Sequence, residues 1–182
     1  MKKTITNILT LIFFAGWLQA QQTTKKDSLD DKYSEKVSSI DATVNTLYQV
    51  ISGEKGEERN WELLKYLFHP DAKMIASGRN REGKIGARYS SPDGYINYSG
   101  KWLVENGFFE DELHRVTEQF GSLAHVFSTY QTFHSKKEAK PFMRGINSIQ
   151  LLHDGHRWWV VNIYWSQEKP DNPIPKKYLP KE

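Results

Sequence analysis

The sequence contains no cysteine, which excludes disulfides, thiol chemistry, cysteine-ligated metals and a lipidated cysteine anchor. It also lacks a charge of one sign. Lys and Arg number 25 against 22 Asp and Glu, and two of the basic residues, Lys2 and Lys3, stand at the very start. Nothing in this balance points to nucleic acid. Long apolar runs are missing as well, since the run Ile8 to Leu18 is shorter than the roughly 20 residues that span a bilayer. With Lys2 and Lys3 before it and Leu18-Gln19-Ala20 after it, this run reads as a secretory signal peptide cleaved after Ala20; the alternative is an uncleaved anchor. Cleavage implies a secreted or periplasmic protein with no stable membrane span.

What is present is a single-domain length of 182 residues and an aromatic content of 13% that gathers toward the C-terminus. Residues 21–38 are polar and charged and read as a flexible leader. Residues 169–182, with Pro170, Pro173, Pro175 and Pro180, read as an extended proline-rich tail. The domain is therefore expected over residues 39–168. Ile40, Val44, Leu47, Tyr48 and Ile51 predict a helix after Ser38 and Ser39. Asn60 caps a second helix with the stripe Trp61, Leu64, Leu67 and Phe68, ended by Pro70. A short strand follows over 71–77, then a basic loop from Gly78 to Gly86, read as a mobile rim favouring an anionic ligand. A third helix starts at Ser91-Pro92-Asp93 and runs to Gly107.

Beyond Gly107 the period changes from 3.6 to 2, which predicts strands over 108–120, 123–133, 142–152 and 157–167. Helices followed by a strand meander give an α+β fold, with N-terminal helices packed on a curved antiparallel β-sheet that encloses a cone. Taking Asp154-Gly155 as a two-residue turn pairs Leu151 with Trp158, Ile149 with Val160, Asn147 with Asn162 and Gly145 with Tyr164. That face is apolar near the turn and polar at the asparagines, which either satisfy each other or line a pocket. The opposite face, with Ile146, Val161, Ile163, Arg144, Gln150, Trp159 and Trp165, has the composition of an interface. A homodimer packed through it is predicted; the alternative cover is the proline-rich tail.

The stretches Gly121–Tyr130, Arg144–Leu152 and Arg157–Trp165, together with Gly107-Phe108-Phe109-Glu110, resemble the last strands of bacterial NTF2-like proteins, the group with SnoaL-like and ketosteroid-isomerase-like domains. The resemblance covers residues 40–168. It implies the cone fold and leaves the chemistry open, because this scaffold hosts isomerases, lyases, binders and assembly modules. The isomerases' acid and oxyanion motifs find no matching positions here.

Three functions follow. The first is binding of a small, largely apolar molecule, contacted by Asn147, Asn162, Tyr130, Tyr48 and Trp102. The second is a cofactor-free lyase or isomerase using His125 or His114 as acid or base. The third is a non-catalytic assembly module. Glu110, Glu112, His114 and Glu118 share one face at period two, and three acids on one strand face read more readily as a solvated edge. His125 serves catalysis if it faces the cone and the dimer interface if it faces out. His153 and His156 flank a turn without a third ligand, so no metal and no cofactor are expected. An open cone with an ionisable group inside it favours catalysis; one lined only by amides, hydroxyls and rings favours binding.

Overall fold

Ser39 is extended and its side chain accepts a hydrogen bond from the Ala42 amide, so helix α1 (Ile40–Ile51) begins where the capping signal predicts. Asn60 caps α2 (Trp61–Leu67) in the same way, accepting from Leu63 N. The computed structural model describes residues 30, 32–80 and 82–181. The described residues up to Ser34 belong to one unit and those from Glu35 onward to another. The predicted signal peptide and residues 21–29 of the leader lie outside the described residues, as does Arg81.

Strand β1 (Phe68–Arg79) is longer than predicted, and the basic loop folds largely into a hairpin with β2 (Ile85–Ser90). Alternation is weak in β2 because it is an edge strand exposed along almost its whole length. Ser91 caps α3 (Pro92–Tyr95), which continues through a single π-helical turn, Ile96–Gly100, into α4 (Lys101–Asn106). Then come β3 (Phe109–Phe120), β4 (Leu123–Phe133), β5 (Met143–His153) and β6 (Trp158–Gln167). The sheet order is β2-β1-β6-β5-β4-β3, antiparallel throughout except that β1 runs parallel to β6. The result is an α+β fold in which the helices pack on a mostly antiparallel six-stranded sheet. Val44, Leu47 and Leu64 of the helices meet Val126, Ile149, Leu151 and Val160 of the sheet in the core. Val37, assigned to the leader, belongs to the same core.

Gly107 turns the chain from α4 into β3 with φ 71, and a Cβ there would stand 2.4 Å from the His134 carbonyl oxygen. Gly107→Ala is expected to cost about 1–3 kcal/mol in urea denaturation, from backbone strain together with that contact.

Two single-residue bulges decide which side chains enter the cone. The β5–β6 turn is not a two-residue turn. Asp154 Oδ1 accepts from both His156 N and Arg157 N at 2.9 Å, which builds a four-residue loop and pairs His153 with Trp158. Leu151 consequently lies opposite Val160, not Trp158. Val161 is then an extra residue in β6, so that Ile149 faces Ile163 and Asn147 faces Trp165. Every β6 side chain beyond the bulge is reversed relative to the predicted register. In β3, Leu113 is extra: Glu112 pairs with Tyr130 and His114 with Thr129. Glu110 and Glu112 thus point into the cone, while His114 and Glu118 point away, which overturns the expected shared face.

The proline-rich tail is not a free arm over its described length. Ile174 is buried, its amide donating to Glu168 Oε1, and the Tyr178 carbonyl accepts from Thr129 Oγ1 at 2.6 Å while its ring lies 4.8 Å from Phe127. The tail therefore covers part of the outer face of the sheet, the cover offered above as the alternative to a second subunit. Among the described residues no helix is long and apolar enough to cross a membrane.

Candidate functional site

A cavity of about 910 Å³ opens between the helices and the concave face of the sheet. Its apolar wall includes Leu47, Ile51, Leu103, Phe108, Ile163 and Trp165, and Tyr48, Tyr95, Tyr130, Asn147 and Glu110 bring polar atoms into it. Helix α1 supplies Tyr48 and, through Ser52, the anchor for the acid: Ser52 Oγ donates to the Tyr48 carbonyl at 2.8 Å and accepts from the Glu110 amide at 3.0 Å. An isolated bridge between Gly53 and Phe108 holds the same junction. Glu110 is therefore placed by backbone contacts between the end of α1 and the start of β3.

Burial pushes the Glu110 carboxyl up to about 7; a hydrogen bond from Asn147 opposes this and the charge of Asp111 reinforces it. The surface that Glu110 retains opens onto the cavity and onto a second, shallower cleft of about 600 Å³ with Asn45, Gln49, Asp111 and Lys136. Among the described residues, Asn147 is the side chain that hydrogen-bonds to it, Nδ2 to Oε1 at 3.0 Å. Asn147 also donates to Tyr48 Oη at 3.1 Å, and Tyr48 Oη lies 2.6 Å from Ser128 Oγ. Ser128 donates to Glu112 Oε1, so the hydrogen between Tyr48 and Ser128 belongs to Tyr48. Glu112 is gripped by Arg115 through Nε at 2.9 Å and Nη2 at 2.6 Å, and Arg115 reaches on to Asp41 and Asn45. Donation runs from Asn147 through Tyr48 and Ser128 to Glu112, and Arg115 donates to the same carboxylate from the other side, so the chain converges on Glu112 and locks the floor of the cone.

Three phenols stand near Glu110. Burial, followed by the charge of Glu110, holds the hydroxyls of Tyr48, Tyr95 and Tyr130 well above the usual tyrosine range, so they are donors at neutral pH. Tyr130 reaches its position because Gly145 stands opposite: a Cβ there would lie 2.5 Å from the Tyr130 hydroxyl. Tyr95 packs edge-on to Trp165 at 6.3 Å.

The residues named from sequence divide between the two faces. Asn147, Tyr130, Tyr48 and Trp102 line the cavity. Asn162 does not, because the Val161 bulge turns it outward, where its Nδ2 donates to Gln150 Oε1 at 3.1 Å. Trp165, assigned to the interface, faces the cavity for the same reason. Arg144 pairs with Glu168 at 2.8 Å, and Trp159 lies under the Arg157 guanidinium and donates to Asp154. His125 faces away from the cavity, 2.9 Å from Ser148 Oγ, and His114 occupies the same outer face. Neither histidine is brought near Asn147 or Tyr130. Glu110 is the functional candidate that sequence reasoning missed. Its signal was present in Gly107-Phe108-Phe109-Glu110, an acid just past a turn and flanked by aromatics, but period-two counting joined it to acids that the bulge separates. Among the described residues no three His, Asp or Glu side chains cluster as a metal site requires.

No protein-family model matches the chain, and no curated protein sequence does. Solved structures do match. A protein described as the β subunit of a putative aromatic-ring-hydroxylating dioxygenase from Novosphingobium aromaticivorans is similar with a TM-score of 0.56 at 14% identity, over 75% of this chain and 95% of the other. A putative scytalone dehydratase from the same organism gives 0.52 at 15%, over 84% and 98%. An NTF-2-like protein of unknown function from Silicibacter pomeroyi gives 0.50 at 17%, over 72% and 94%.

Proposed function

Because the chain has the NTF2-like fold, and because its cone is open with an acid inside, we propose a cofactor-free proton transfer on a small, largely apolar carbonyl compound, an isomerase or lyase reaction with Glu110 as general base. The observation that carries this reading is the Glu110 carboxyl, pushed up to about 7 by burial at the edge of an apolar cavity. A base poised near neutral pH both accepts and returns a proton efficiently. Glu110 takes the proton from the carbon next to the carbonyl, the C–H electron pair moves to form the enolate, and the carbonyl oxygen accepts a hydrogen bond from Tyr130 or Tyr95. Return of the proton at another carbon completes an isomerisation; its delivery from Glu110 to the β-hydroxyl, which leaves as water as the enolate electron pair forms the new double bond, completes a dehydration. One of the similar structures is described as a putative dehydratase, which agrees with this reaction class. Glu110 takes the role that the sequence offered to His125 or His114.

The test is α-hydrogen exchange. 2-Tetralone, a small enolisable ketone, is incubated with the protein in deuterium oxide and followed by proton NMR. Deuterium incorporation well above the buffer rate is expected, and His125→Ala and His114→Ala should leave it unchanged. Tetralone that binds without exchange would reduce the reading to binding alone.

Export with cleavage after Ala20 belongs to the same proposal, on the pattern of residues 1–20. So does a homodimer through the outer sheet face, supported by Phe120, Leu123 and Leu152, which stay exposed there at the far end of the strands from the tail contacts at Phe127 and Thr129. Phe120 is 87% exposed, a cost in water that a second copy would relieve. Light scattering at micromolar concentration is expected to give twice the protomer mass; the protomer mass alone would overturn the dimer.

A further inference from the structure

The cavity is not uniform from floor to mouth. Its floor carries the Glu110 carboxyl and the phenols; its mouth, formed by β1, β2 and the first residues of the tail, carries Arg79, Arg88, Lys169 and Asp171. Arg79 is already engaged, with Nη1 donating to the Gly83 carbonyl at 2.9 Å and Nε 3.5 Å from Asp171 Oδ2. Arg88 differs. It pairs across the ladder with Ala76, which pairs in turn with the inward-facing Trp165, so Arg88 belongs to the concave side of the sheet. Its guanidinium lies 3.7 Å over the Tyr98 ring, and it forms no ion pair among the described residues. Stacking on one face leaves the N–H edge of a guanidinium available to two oxygens of an anion.

We propose that the ligand of this cone is an amphiphilic carboxylate, an apolar body carrying one anionic group, whose carboxylate is read at the mouth by Arg88, with Lys169 lining the same cavity. This rests on the cone being a ligand pocket and adds the chemical class of what enters it. The two ends of the cavity fix the orientation. A carboxylate is repelled from the floor, where Glu110 carries charge in its working state, and is attracted at the mouth. The apolar body fills the volume between Leu47, Leu103 and Ile163, and the carbonyl to be activated arrives at Tyr95, Tyr130 and Glu110. Asp171 keeps Arg79 from competing, so recognition falls on one guanidinium rather than on a diffuse basic rim.

The experiment compares two probes of the same shape, 2-naphthoate and 2-naphthamide, by isothermal titration calorimetry with the full chain at neutral pH. The naphthoate is expected to bind about tenfold more tightly. Arg88→Met, which keeps an apolar stem against Tyr98, is expected to remove that preference while leaving the amide's affinity within about twofold. Arg88→Lys should retain part of it, because a point charge remains without the planar fork. Equal binding of the two probes to the wild type, or an unchanged preference in Arg88→Met, overturns the inference and leaves the pocket reading standing. Binding of neither probe overturns both. Naphthoate that binds without slowing tetralone exchange lies outside the cone and overturns the assignment to its mouth.

Discussion

Glu110→Gln is expected to slow deuterium exchange into 2-tetralone by about 100- to 10,000-fold, the range over which a positioned general base contributes. Glutamine keeps the volume of the side chain and a carbonyl oxygen toward Asn147 Nδ2, which donates to Glu110 at 3.0 Å. The line from Asn147 through Tyr48 and Ser128 to Glu112 and Arg115 is left whole. What disappears is the group that carries the proton. The wild-type rate should rise with pH through about 7 and then level off, because the base acts as carboxylate and its carboxyl is pushed up to about 7. The residual rate of Glu110→Gln should lack that limb. An exchange rate that survives the substitution would remove Glu110 from the reaction.

The same carboxyl is expected to make the protein less stable as pH rises. In the unfolded chain it titrates at the ordinary 4.5, and in the fold at about 7. Between these values the folded state holds its proton more tightly than the unfolded one. The contribution is therefore fully present below 4.5, is lost as pH rises through 7, and stays lost above it. Over that window the loss is on the order of 3 kcal/mol. Urea denaturation of wild type and Glu110→Gln at a series of pH values isolates the term, since other titrating groups are common to both proteins. Glutamine should gain on the wild type between pH 4.5 and 7, and hold that advantage at higher pH. A difference that stays flat with pH would mean that the carboxyl is solvated. The two results belong together: a buried base that costs stability at working pH is a common mark of an active site.

Much of the architecture was legible without coordinates. Ser39, Asn60 and Ser91 each carry a side-chain oxygen immediately before an apolar stripe, and each accepts the amide hydrogen bond that a helix start leaves unsatisfied. The change of period after Gly107 located the four long strands, because alternation is enforced wherever one face is buried. Such signals are local, or repeat within a few residues, so one chain displays them directly. The resemblance of the strands after Gly121 to NTF2-like proteins pointed to the fold that the structure has.

The site was legible only in part, and the reason is geometric. Asn147, Tyr130, Tyr48 and Trp102 were named because they precede any irregularity or lie on helices and strands whose phase is continuous. Asn162 and Trp165 exchanged places, and Glu112 parted from His114, because Val161 and Leu113 are each one residue more than the partner strand accommodates. A bulge leaves no mark in a period-two pattern until the opposing strand is known, yet it reverses every side chain beyond it. Nor does the composition around Glu110 reveal its depth, since its burial is made by α1, β3 and the cavity wall, which are far apart in sequence. The elements, their caps and the resemblance to a cone were readable from the chain, since all of them rest on short-range chemistry. Tertiary structure alone decided which residues face into that cone, because the facing side of a strand is set by its neighbours' register.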